Sequence, residues 1–249
     1  MTERIFGVRL TGYVPQLFGL SSGFDPPPPA VQGAAAAMRS FITYVDDQIG
    51  SRCTGDGFED ARWIAVGGQG KRGSPHGLYT AGRMRERARK GAPVSDVGAD
   101  PWDVAEACVS VGVYPRDAND DDPGAVNKTM NWNEESGLRL FDISHLHPIE
   151  YGDLETVDGW HAAGCPVVFW TAVDQAFMNE QAGQVWPGIT NLPILGSHCR
   201  VLLPRPPGMA FYEEWNSYGP QWGTGGIGRL SPAALSNAGL CAVSGGPVL

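Results

Sequence analysis

Apolar positions recur at helical spacing from Cys53 onward. In CTGDGFEDARWIAV, residues Phe58, Ala61, Ile64 and Ala65 fall three and four apart, the pattern of one buried helix face. The glycine-rich GGQGKRGS at 67–74 interrupts it as a loop. Ser74 then offers an N-cap with Pro75 at the first helical position, opening a helix that runs to Lys90 and stops at Gly91. The same punctuation returns with Asp100 as cap, Pro101 behind it and a helix reaching Val111 before Gly112. A short helix is predicted from Asp153 to Ala163, ended by Gly164. The period then changes. CPVVFWTAVD is the β-branched and aromatic run of a buried strand, and HCRVLL, MAFYEEW and GIGRL are three more short strands between Pro and Gly clusters. Upstream, DPPPP at 25–29 is stiff and extended. AVQGAAAAMRSFITYV begins with helical composition and ends in β-branched or aromatic residues, with no legible boundary. Helices followed by strands predict an α+β arrangement.

At 249 residues the chain can bury a substantial core, as one large domain or two small lobes. Its 42% hydrophobic and 18% charged residues are ordinary for a globular protein, while 34 glycines and 20 prolines predict many turns and long loops. A formal net charge of −9 argues against a nucleic-acid binder, whose footprint would be basic. No apolar run approaches the ~20 residues needed to cross a bilayer, so no membrane partner is expected. The start, MTERIFGVRL, lacks the basic region, long apolar stretch and small-residue cleavage site of a secretory signal. The expected location is therefore cytoplasmic or virion-associated.

Five cysteines, Cys53, Cys108, Cys165, Cys199 and Cys241, form an odd set without a close pair, which reads poorly as a disulfide framework. Cys108 and Cys165 sit in apolar surroundings as buried small hydrophobes. No CxxC or HxxxH spacing suggests structural zinc. In DANDDDPG at 117–124, Asp122 and Lys128 stand where a calcium loop needs glycine and glutamate, so the segment reads as a solvated loop. Neither metal nor cofactor is expected.

Cysteine is a strong nucleophile once ionised, and Cys53 stands where the loop DDQIGSR runs into a predicted helix. A helix N-terminus carries unpaired N–H groups and partial positive charge, which favour a thiolate. Asp56, Glu59 and Asp60 in the next turns work against it. Taken singly, Cys53 reads as a buried cysteine, His198 as a satisfied core histidine and Asn216 as a turn cap. His76, His145, His147 and His161 read as loop or surface residues, with His145 and His147 flanking Leu146 in a polar turn.

Together these segments are more specific. The chain has Asp47-Gln48 before Cys53-Thr54-Gly55, then Gly196-Ser197-His198, then Asn216-Ser217-Tyr218-Gly219 followed by Trp222-Gly223. GWHAAGCPVVFWTAVDQAF has a helix leading into a strand through Gly-x-Pro-Val. In this order the motifs resemble the papain family of cysteine peptidases, over roughly residues 45 to 231. Papain-type histidine and asparagine lie ~130–150 residues after the cysteine; His198 falls within that interval and Asn216 slightly past it.

The resemblance implies a two-lobed papain-like fold: a helical lobe over about 41–137 carrying Cys53, and a β-barrel-like lobe over about 138–240, joined by residues 1–40. The active site would lie in the cleft between them. It implies Cys53 as nucleophile, His198 as base and acid, Asn216 as the group orienting His198, Gln48 as oxyanion donor and Trp222 as a shield over the Asn–His contact. A peptide or protein is the expected substrate.

Several departures accompany it. Gln48 is one residue nearer the cysteine than in well-known members. Gly50 and Ser51 stand where those members carry a disulfide cysteine, and Tyr218 replaces the usual tryptophan. Arg52 adds a positive charge beside Cys53. No long pro-segment is evident before Cys53, as in compact bacterial or phage-encoded members. Two other functions remain open: a papain-like structural or assembly component of a larger particle, and a cell-wall peptide hydrolase or acyl transferase using the same thiol.

Overall fold

The computed structural model describes residues 34–91, 98–110, 112–116, 120, 143–180, 182–206 and 208–245. The expectations for DPPPP, and for all of DANDDDPG except Asp120, lie outside the described residues, as does Val111. Helix α1 (Ala34–Ser40) precedes α2 (Cys53–Ala65), α3 (Pro75–Lys90) and α4 (Pro101–Ser110). Strand β1 (Ile143–Ile149), helix α5 (Leu154–Ala162), strand β2 (Val167–Asp174), helix α6 (Gln175–Met178) and strands β3 (Ile194–Leu203), β4 (Tyr212–Trp215), β5 (Ile227–Leu230) and β6 (Gly239–Gly245) follow.

The helix punctuation works as its chemistry requires. Ser74 Oγ accepts the Gly77 N–H at 2.8 Å, and Gly91 takes a left-handed φ of 67° that a β-carbon would resist. Asp100 Oδ1 accepts the Trp102 N–H at 3.0 Å at the start of α4, and Asp153 caps α5 through Thr156 N–H at 3.0 Å.

The six strands form one antiparallel sheet in the order β1-β6-β2-β3-β4-β5. Alternation along each strand splits the core in two. Trp170, Cys199, Val201, Trp215 and Val243 face a cluster shared with α2, α3 and α4. Phe169, Val173, Leu202, Tyr212 and Leu240 face a second cluster with Val157 and Trp160 of α5. Covered on both faces, β2 has no polar side, which explains its continuous apolar run. Helices α1 to α4 from the first part of the chain and the six-stranded sheet, with α5 and α6, from the rest make the fold α+β and two-lobed.

Three readings are corrected. His145 and His147 lie in strand β1, paired with β6, not in a polar turn. His147 stacks on Trp160 at 4.3 Å between ring centroids, and His76 and His161 are buried as well. Helix α2 is buried on every side from Cys53 to Ile64 rather than on one face, because its carboxylates meet arginines. Strand β3 starts four residues before His198, at Ile194.

His161 links α5 to the sheet by placing Nε2 3.0 Å from the Leu202 carbonyl. Burial pulls its pKa down to about 4. The unfolded chain therefore takes up a proton near pH 6.5 that the folded chain refuses. The stability tied to neutral His161 is complete above that pH and is lost as pH falls toward 4, by roughly 3 kcal/mol. His161→Gln keeps a donor but cannot titrate. Its stability relative to wild type should rise between pH 7 and 4.5 in urea melts; a constant difference would show that His161 does not titrate in this way.

Candidate active site

Cys53 is the first residue of α2, and the turn before it is tight: Gly50 takes φ 62° and Arg52 carries the helix start. Cys53 thus sits at the positive end of the helix dipole. Two glycines let α2 approach its neighbours. A β-carbon on Gly57 would lie 3.0 Å from Cys199 Sγ, and one on Gly55 would lie 2.0 Å from the Pro75 carbonyl oxygen. The first contact brings α2 onto β3 beside His198.

On β3, His198 pairs in register with Thr171 and is fully buried. Its Nε2 is 2.7 Å from Oδ1 of Asn216, just beyond β4. A carboxamide oxygen only accepts, so Nε2 carries the proton and Nδ1 is the basic nitrogen. The Tyr218 ring stacks on the imidazole at 4.3 Å and 15°. Phe177 lies 6.0 Å from the imidazole and 5.2 Å from Trp222, which also meets Tyr218 edge-on at 6.1 Å. Tyr218 is thus the ring stacked on His198, and Trp222 stands behind Tyr218 and Phe177. Phe177 escaped the sequence reading because nothing in VDQAFMNE marks it apart from an ordinary core residue.

The segment before Cys53 is stitched to the one after Asn216. Gln48 N–H donates to the Ser217 carbonyl at 2.7 Å, Gly219 N–H donates to the Asp46 carbonyl at 2.8 Å, and Asp47 bridges Tyr218. Ser217 Oγ donates to Gln48 Oε1 at 3.3 Å, while Gln48 Nε2 donates to the Gly50 carbonyl at 2.7 Å. That bond uses one of the two amide hydrogens of Gln48.

The acidic residues after Cys53 are compensated. Asp56 pairs with Arg52 at 3.2 Å and Glu59 with Arg62 at 2.6 Å, while Arg72 bonds Asp60. Burial nonetheless pushes Asp56 up to about 7, with Arg52 opposing the rise and Asp46 adding to it. Asp60 is raised by the same burial, against Arg72. Asp120 is buried here too: Oδ1 accepts from Ser74 Oγ at 2.8 Å and from His76 N–H at 3.0 Å. Burial also pushes up the thiols of Cys108, Cys165 and Cys199, and that of Cys241 to about 12, which leaves them poor nucleophiles at neutral pH.

Among the described residues no cluster of His, Cys, Asp or Glu could hold a metal ion, and no helix is long and apolar enough to cross a membrane.

No family model and no curated protein matches the chain. Solved structures do. Xylellain, a cysteine protease from Xylella fastidiosa, superposes with a TM-score of 0.67 over 99% of each chain at 15% identity. Procathepsin B S9 from Trypanosoma congolense gives 0.65 over 98% of this chain and 87% of its own, also at 15% identity. The bromelain protease from Ananas comosus gives 0.60 over 84% and 98%, at 14% identity. The fold is papain-like. At such identity the likeness establishes the papain-like architecture and no more.

Proposed function

We propose that this papain-like protein is a cysteine peptidase that hydrolyses peptide bonds through a thioester acyl-enzyme. The observation that carries the reading is the 2.7 Å hydrogen bond between His198 Nε2 and Asn216 Oδ1, on a strand packed against the helix that Cys53 opens. His198 Nδ1 takes the Cys53 thiol proton, and the thiolate attacks the scissile carbonyl carbon. The oxyanion is met by the Cys53 backbone N–H and the Gln48 side-chain amide. Collapse of the adduct breaks the C–N bond as His198 gives its proton to the leaving amine. A water deprotonated by His198 then attacks the thioester and frees the acid and the thiol. Asn216 holds the imidazole's tautomer and direction, the third-group role of a triad. Trp222, with Tyr218 and Phe177, keeps water from that bond, which strengthens it.

A second reading, a papain-like structural or assembly component with little turnover, draws on the burial of Cys53 and His198, both at 0% exposure. Alkylation separates the two. Iodoacetamide labelling across pH 4 to 9, followed by peptide mass spectrometry, should modify Cys53 quickly near pH 5. Labelling of Cys53 only as pH nears about 8.5, like a free thiol, would remove the thiolate–imidazolium pair and favour the structural role. Release of free acid in water, against its transfer to an added amine, distinguishes peptidase from acyl transferase.

A further inference from the structure

The sheet face that carries His198 also buries a charge pair that the proposed chemistry does not use. Alternation along β3 places Arg200 on the side of His198, with Cys199 and Val201 opposite in the helical core. On β4, Glu214 takes the same side two residues before Asn216. Arg200 Nε lies 3.0 Å from Glu214 Oε2, and both side chains are completely buried. Neither group makes an aligned side-chain hydrogen bond to another described residue, so charge and packing hold the pair.

The packing is aromatic. The guanidinium carbon lies 4.3 Å from the Phe169 ring centroid, 4.5 Å from that of Phe177 and 5.5 Å from that of Trp186. Phe177 in turn touches His198, Tyr218 and Trp222. A continuous chain of contacts therefore runs from Glu214 through Arg200 and Phe177 to the imidazole. Glu180 closes the cluster, its Oε1 accepting the Arg229 N–H at 2.8 Å. Burial raises Glu214 and, with Glu214 adding to the effect, pushes Glu180 up to about 8; Arg200 opposes the rise in both.

A buried ion pair is a poor choice for stability, since apolar residues of similar volume usually serve as well or better. Its location suggests another use. We propose that Arg200, anchored by Glu214, is a positioning residue: its guanidinium fixes the Phe177 ring, and that ring with Tyr218 keeps His198 Nε2 aimed at Asn216. This rests on His198 being the base of the proposed peptidase.

The test reads the imidazole directly, so it does not depend on turnover. In nitrogen-15 NMR the wild type should show a downfield His198 Nε2–H resonance, protected by its bond to Asn216. Arg200→Met should broaden or abolish that signal and slow Cys53 alkylation near pH 5 by about tenfold. Arg89→Met, which breaks a part-buried pair with Asp103 between α3 and α4, away from the sheet face of His198, should change neither. Phe177→Leu cuts the same path without altering charge and should reproduce the Arg200→Met result, which covers the case in which Arg200→Met does not fold. A signal and alkylation profile unchanged in a folded Arg200→Met or Phe177→Leu variant would overturn the proposal. Ordinary thiol behaviour of Cys53 in the wild type would instead defeat the peptidase reading, and the Nε2–H signal would still report on Arg200.

Discussion

Replacing Cys53 with alanine should lower peptide hydrolysis by roughly three orders of magnitude or more, because no other group can form the thioester and only binding and oxyanion contacts remain. Folding should be nearly untouched. The change deletes one buried sulfur at the first residue of α2 and leaves the helix backbone intact. A small cavity of that kind costs on the order of 1 kcal/mol, which for a chain of this size lowers the melting temperature by roughly 2–4 °C. Fluorogenic peptide assays and calorimetry on the same preparation read both quantities. Cys108→Ala provides the control: its thiol is buried in the helical core, and its removal should cost similar stability and no activity. Undiminished hydrolysis by the Cys53→Ala protein would end the assignment of Cys53 as nucleophile.

The helices α2 to α5 and the cap chemistry of α3 and α4 were legible because they depend on local residues: Ser74 with Pro75, Asp100 with Pro101, and Gly91 at positive φ. The papain-like architecture was legible from short motifs spread along the chain, and the bond between His198 and Asn216 gives two of them a common location. Strand β1 was not legible. ISHLHPI mixes histidines, a serine and a proline, and its strand state comes from pairing with β6 far along the chain. The same holds for burial of α2. Its acidic residues look like a solvated face in sequence, and only the fold brings Arg72 beside Glu59 and Asp60. Arg200 and Glu214 were missed for a related reason: two charges on short strands give no sign that they will be paired and enclosed by Phe169, Phe177 and Trp186.

The approach of α2 to α3 sets up the second large effect. Gly55→Ala should destabilise the protein even though alanine is the better helix former by about 1 kcal/mol. A β-carbon there would stand 2.0 Å from the Pro75 carbonyl oxygen and 3.1 Å from Tyr79 Cβ. The first obstacle is backbone, at the capped start of α3, and cannot rotate away. The helices must separate, and overpacking of this kind costs roughly 1–3 kcal/mol or more. A backbone obstacle at 2.0 Å sets the upper end of that range, so after the propensity gain the net loss should be about 2 kcal/mol. Gly91→Ala gives a useful contrast. It meets no atom within 4 Å and suffers only from its positive φ, worth about 1 kcal/mol. Urea midpoints should therefore rank wild type above Gly91→Ala, and Gly91→Ala above Gly55→Ala. Activity should separate the two variants more sharply. Gly55 lies two residues from Cys53 in the first turn of α2, and a displacement near 1 Å can cost about a hundredfold in rate. Gly91 lies beyond the far end of α3, so its variant should retain wild-type kcat/KM wherever it is folded. A Gly55→Ala protein as stable as the wild type would mean that α2 and α3 are farther apart than this packing requires; one that is unstable yet fully active would mean that Cys53 is held in place by β3, through Gly57 and Cys199, without help from α3.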